Sequence, residues 1–147
     1  MVLALAALYA PLTARAADGA EPASSVAAAG APQPEVKDAR RVTVRIPRSS
    51  SSVSLAGRLR GYEVVDYVLH AEARQHMTVR LTSTTRPLTM AVYDSDKRAV
   101  CVEACDDRWS GPVARTGDYV VRVGLPRADA RRNRAVRYRI QFTLASS

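Results

Sequence analysis

The sequence predicts an all-β fold: an antiparallel β-sandwich of seven or eight short strands. Three observations predict it. Apolar and polar residues alternate in segment after segment, which is the period of a half-buried strand. Gly, Pro, Ser and Asp clusters punctuate the segments where turns are needed. No stretch has a helical period and useful length apart from Ala128 to Arg134.

The elements follow in order. Val42, Val44 and Ile46 share one face of a first strand, with Thr43 and Arg45 on the other; Pro47 and the serines Ser49 to Ser52 end it. Val53, Leu55 and Gly57 share a face of a second strand, Val53 to Leu59, and Gly61 makes the turn behind it. The third strand, Glu63 to His70, sets Val65, Tyr67 and Leu69 against an outward Asp66. Met77, Val79 and Leu81 alternate with Thr78, Arg80 and Thr82. Leu88, Met90 and Val92 repeat the pattern before a turn at Asp94-Ser95-Asp96. Tyr119, Val121 and Val123 follow Gly117, with Asp118 and Arg122 outward. The last strand is the clearest: Tyr138, Ile140, Phe142 and Leu144 face in, while Arg137, Arg139, Gln141 and Thr143 face out. Each buried apolar side chain contributes about 1.5–3 kcal/mol before conformational entropy is charged.

The N-terminal end differs in character. Residues 1–16 read as a signal peptide: an apolar run from Val2 to Leu12, then Ala14-Arg15-Ala16, a small-residue cleavage pattern. The run lacks a positive n-region, and a buried helix is the alternative. Residues 17–39 have no hydrophobic period and no aromatic, and read as a disordered Ala/Pro-rich linker. The domain then occupies 40–147, a size that suits one sandwich core. The whole chain of 147 residues carries a formal charge of +8, and the part from Arg40 onward is about +10, nearly all of it from arginine.

Export sets an oxidising compartment, in which Cys101 and Cys105 can form a local disulfide. Two free thiols, or pairing between molecules, are the alternatives. No metal site is expected, because His70 and His76 do not cluster with these cysteines and no metal motif occurs. No Ser-His-Asp set has nucleophile-elbow flanks, and no glycine-rich phosphate loop occurs. Asp106-Asp107 are adjacent loop carboxylates of the kind that are usually only solvated. Catalytic residues and cofactors are therefore expected to be none, and binding is the better class than enzyme. Nucleic acid is not the expected partner, since the aromatics mostly fall on the inward phase of the strands rather than interleaving with the arginines for stacking, and an exported protein rarely meets cellular nucleic acid.

One segment stands apart. Leu125 to Arg134 reads LPRADARRNR. A helical turn there sets Arg127 and Arg131 four apart on one side, with Asp129 able to orient a neighbouring guanidinium. The bland reading is a charged hairpin loop; the sharper one is a rigid arginine fork aimed at an acidic pocket.

The same residues carry a resemblance. Ala114-Arg115-Thr116-Gly117-Asp118-Tyr119 with its following strand, then Arg127-Ala128-Asp129-Ala130-Arg131-Arg132-Asn133 and Tyr138, resemble the bacterial periplasmic inhibitors of g-type lysozyme. Gly57-Arg58-Leu59-Arg60-Gly61-Tyr62, with Tyr67 and Gln75, resembles the same family. The similarity spans roughly 41–144. The small-Gly-x-Tyr turn at Thr116 to Tyr119 is shared with lysozyme inhibitors of other types and with the pre-peptidase C-terminal domain; the R-x-D-A-R run combined with the Gly-Tyr turn is more specific. The resemblance implies an exported β-sandwich and a g-type lysozyme as protein partner. It implies contacts from Tyr62, Arg127 and Arg131, with Asp129, Thr116 and Tyr119 as further binding-site positions. The Cys101–Cys105 loop departs from the family pattern and leaves the lysozyme type open. The alternative is an exported carbohydrate- or protein-binding module of the pre-peptidase type.

Overall fold

The computed structural model describes residues 32–33, 36, 38–85, 87–102 and 105–146. The expected leader and most of the expected linker lie outside the described residues. Among the described residues, nine strands and one short helix follow one another as β1 (Arg40–Val44), β2 (Ser52–Arg60), β3 (Val65–Ala71), β4 (Gln75–Ser83), β5 (Thr89–Tyr93), β6 (Ala99–Val102), β7 (Arg108–Pro112), β8 (Gly117–Gly124), α1 (Arg127–Arg131) and β9 (Ala135–Ser146). They form two sheets, a five-stranded one ordered β1-β3-β8-β5-β6 and a four-stranded one ordered β2-β9-β4-β7.

The fold is the expected all-β sandwich, with two differences. Strands β6 and β7 carry too little alternation to read as strands; both are short edge strands, and Pro112 in β7 is tolerated because an edge strand can spare an N–H. One pairing is parallel: β1 runs alongside β3, Arg40 opposite Val65 through Val44 opposite Leu69. The other pairings are antiparallel.

The core fills the space between the sheets. The inward residues of β3, β4, β8 and β9 predicted from alternation are buried there, apart from Leu144, which is half-buried near the end of β9; Val79, Val121, Val123, Ile140 and Phe142 are fully enclosed. Two tyrosines bring polar atoms inside and satisfy each other, the Tyr67 and Tyr138 hydroxyls lying 2.6 Å apart. Gly57 makes room for this pair, because a Cβ there would run into the Tyr138 ring.

A second apolar cluster (Ala91, Tyr93, Ala99 and Val120, with Val68 and Val102 against it) lies on the other face of the five-stranded sheet. That face is not the solvated one that alternation suggests. Asp66 and Arg122 are on its phase as expected, yet Asp66 is only 2% exposed. The Arg122 Nε and Nη2 donate to the two Asp66 carboxylate oxygens at 2.7 and 2.9 Å, a two-point pair. Chain from the expected linker reaches this face. The Gln33 N–H donates to the Lys97 carbonyl (2.8 Å), its side-chain amide donates to Asp66 (3.4 Å), and Pro32 bridges Arg98.

Candidate functional site

The last turn of β2 and the loop before β9 meet because those two strands pair along their whole length, ending with Arg60 opposite Ala135. Past that last pair the chain must reverse. Gly61 does so with φ +59, a left-handed conformation that favours glycine. Its N–H donates to the Arg134 carbonyl (3.0 Å), which ties the turn to the loop. Glu63 closes the turn from the other side: its carboxylate accepts from the Arg60 N–H (2.8 Å) and its own N–H donates to the Arg60 carbonyl (3.1 Å). Tyr62 is left at the tip, 70% exposed, the most exposed large aromatic among the described residues.

The loop partner is equally fixed. Pro126 presets the backbone for α1, and its carbonyl accepts from both the Asp129 and Ala130 N–H groups at 3.0 Å. Asn133, at φ +51, ends the turn, with its N–H on the Ala130 carbonyl and the Arg134 N–H on the Asp129 carbonyl. Ala130 and Asp129 point into the protein, Asp129 at 7% exposure, while Arg127 and Arg131 stay exposed. Tyr62 stands between two depressions. One, a cleft of about 570 Å³, has Tyr62, Arg127 and Ala130 on its wall, with Met90, Tyr93 and Arg122 also lining it. The other is lined by Tyr62, Ala130 and Arg131. An exposed ring that shares one depression with Arg127 and another with Arg131 suits packing an aromatic anchor while bonding carboxylates.

The remaining expected site residues lie elsewhere. Thr116 precedes β8 and Arg127 follows it, so an eight-residue strand, roughly 24 Å of chain, separates them. The Thr116 hydroxyl accepts from the Ala73 N–H (2.9 Å) and thereby joins two loops at that far end. Tyr119 is 2% exposed, its ring in the core and its hydroxyl 3.4 Å from the Arg115 carbonyl. Both residues have structural work at positions remote from Tyr62. Cys101 and Cys105 are bridged, their Cα atoms 5.7 Å apart. Asp106, just beyond the bridge, lines the same cleft as Tyr62 and Arg127.

Sequence reasoning missed the ion pair beneath that cleft. Alternation placed Asp66 and Arg122 on one face, but nothing in the local sequence says that face is covered. The Asp66 hydrogen bond, ahead of the opposing effect of burial, holds the Arg122 guanidinium even more firmly protonated than usual. Burial pushes the neighbouring Tyr93 hydroxyl up; the Arg122 charge, 5.7 Å from the ring centroid, acts against it. No group of three or more His, Cys, Asp or Glu among the described residues could hold a metal ion.

No protein-family model matches the chain, and a search of curated proteins finds no match. Solved structures do match. Aeromonas hydrophila PliG, a periplasmic lysozyme inhibitor of g-type lysozyme, superposes with a TM-score of 0.65 at 26% identity, covering 74% of this chain and 98% of its own. Salmonella Typhimurium PliG gives 0.55 at 19% identity, over 72% and 98% of the two chains, and an Escherichia coli PliG mutant 0.55 at 22%, over 73% and 99%. At those identities the latter two speak for the fold alone. The structural neighbours of this chain are thus PliG periplasmic inhibitors of g-type lysozyme, the family that its Gly61-Tyr62 turn and Arg127–Arg131 run resemble.

Proposed function

We propose that this chain is a periplasmic inhibitor of g-type lysozyme, and that it acts by inserting the Tyr62 turn and α1 together into the enzyme's cleft. The observation that carries the reading is the convergence of an exposed Tyr62 with Arg127 and Arg131 on two segments locked by the Gly61–Arg134 hydrogen bond. A lysozyme cleaves its glycan with carboxyl groups set in a cleft. A guanidinium answers such a group well, since its planar fork bonds a carboxylate at two points and stays charged at any working pH. Tyr62 supplies the apolar anchor, and Asp129, buried under α1, belongs to the support of the arginines rather than to the contact surface. Because turn and helix are ordered before binding, little conformational entropy is lost on association. The biological result is protection of peptidoglycan.

The test is a turbidity assay on cell-wall substrate with g-, c- and i-type lysozymes. Inhibition of the g-type enzyme is expected. The Arg127→Ala, Arg131→Ala double variant should lose about 2–5 kcal/mol of binding per buried pair broken, a large rise in the half-inhibiting concentration. Wild-type potency from that variant, or no inhibition of g-type lysozyme by the parent, overturns the proposal.

A further inference from the structure

The outer face of the four-stranded sheet lies apart from the Tyr62 turn and α1, meeting them only at Arg60, the last residue of β2. Alternation sends Arg58 and Arg60 of β2, Arg80 of β4, Arg108 of β7, and Arg137 and Arg139 of β9 to that face, and all six are exposed. The four strands contain no Asp or Glu. None of the six arginines forms an ion pair with a described residue. Glu63 lies beyond the end of β2 and bonds the Arg60 backbone.

The register sharpens the point. Arg58 is directly opposite Arg137, and Arg80 directly opposite Arg108. Like charges facing each other across neighbouring strands destabilise a sheet, so this pattern opposes folding and calls for another explanation. General arginine richness does not explain it, because the five-stranded sheet carries both signs on its outer face: Asp66 paired with Arg122, and an exposed Asp118. Between the arginines stand Thr78, Ser110 and Gln141, uncharged groups that can donate to oxygen anions.

The shape selects the occupant. Four strands at their usual spacing make a surface about 14 Å wide. No aromatic projects from it, since Trp109 packs on the core side, so it offers no stacking platform for single-stranded nucleic acid. It projects no helix into a duplex groove. The exposed large apolar residues, Val36, Tyr62 and Val100, all lie off this sheet, so nothing on it inserts among acyl chains. A broad cationic plane without apolar wedges is complementary to a plane of lipid phosphates.

We propose that the outer face of β2-β9-β4-β7 docks this domain on the phosphate headgroups of an anionic membrane surface. The attraction is electrostatic and reversible.

The experiment is sedimentation of the full chain with vesicles of phosphatidylglycerol mixed with phosphatidylcholine, and with phosphatidylcholine alone. Binding is expected only to the anionic vesicles, and is expected to be lost as salt rises toward about 0.5 M. Arg80→Gln with Arg137→Gln takes one arginine from each opposed pair and should weaken binding about 25-fold, roughly fivefold per residue. Both substitutions relieve like-charge contacts, so the variant should melt no lower than the parent; Arg58→Gln with Arg108→Gln is a second pair of the same design. Arg45→Gln with Arg98→Gln removes equal charge off the face and should change binding by no more than about twofold. Equal losses from on-face and off-face pairs, no binding to anionic vesicles, or tighter binding to a DNA duplex at the same salt would each overturn the proposal. No arm uses lysozyme, so the result stands apart from the inhibitor reading.

Discussion

Removing the Asp66 carboxylate should be among the most damaging single changes outside the apolar core. The carboxylate is 3% exposed as a side chain and its arginine partner 12%, so little water can replace either. Asp66→Ala leaves the Arg122 guanidinium buried without its two-point acceptor, and takes an acceptor from Gln33 as well. Breaking one partner of such a pair costs about 3–5 kcal/mol. For a domain of this size about 1 kcal/mol corresponds to about 4 °C, so the melting temperature should fall by about 12–20 °C. Replacing both partners with apolar residues, Asp66→Val with Arg122→Leu, removes the stranded charge and should return to within about 1–2 kcal/mol of the parent. Thermal melting followed by circular dichroism on the parent, Asp66→Val, Arg122→Leu and the double variant closes the cycle. A single variant that melts within about 4 °C of the parent, or a double variant as impaired as the single, would refute the account of this pair.

Two further outcomes follow from local geometry. Gly61→Ala places a Cβ 2.9 Å from the Asn133 Oδ1 at a left-handed φ, so it should cost about 1–2 kcal/mol in melting and weaken lysozyme inhibition more than its stability loss explains. Burial first, and the Tyr67 hydrogen bond second, push the Tyr138 hydroxyl far above its ordinary value of 10.0, with Arg40 acting against them. The folded state then keeps a proton that the unfolded chain releases, so stability should be full below about pH 10 and fall as pH rises beyond it. Melting temperatures measured from pH 8 to 11 should show this fall, and Tyr138→Phe should make it shallower.

Much of the architecture was legible where a strand buries one face and exposes the other, as β4 and β9 do in the middle of the four-stranded sheet. In β9, Tyr138, Ile140 and Phe142 alternate with Arg137, Arg139 and Gln141 without a break, and the structure buries and exposes them accordingly. Legibility failed where burial depends on something far away in sequence. Asp66 and Arg122 look solvated, because the chain at Gln33 that reaches their face is more than thirty residues upstream of Asp66. The parallel pairing of β1 with β3 leaves no local signal either, since hydrogen-bond pattern does not alter the period of two. The Tyr62 turn was readable from Gly61. Its proximity to α1 follows only from the β2–β9 register, which a glycine and an arginine run cannot specify by themselves. Thr116 and Tyr119 show the converse limit: a motif that recurs among binding domains here fixes a loop junction and a core ring.

Charge separates the two proposed surfaces, because salt should move them in opposite directions. From Arg40 onward the chain carries about ten more basic than acidic side chains, so a basic lysozyme is repelled while the two are far apart. Raising salt shortens the screening distance from about 10 Å at 0.1 M to about 3 Å at 1 M and removes that repulsion. Guanidinium–carboxylate contacts made inside a closed cleft are screened much less than exposed charges. Association with a basic g-type lysozyme should therefore be faster at moderate salt than at low salt, with dissociation nearly unchanged. Attraction of the six-arginine sheet face to anionic vesicles should decline steadily over the same range. Stopped-flow binding with the enzyme and sedimentation with vesicles, run across one salt series, test both. Parallel declines in the two assays would mean that exposed charge drives both interactions, and that Tyr62, Arg127 and Arg131 do not enter a closed cleft.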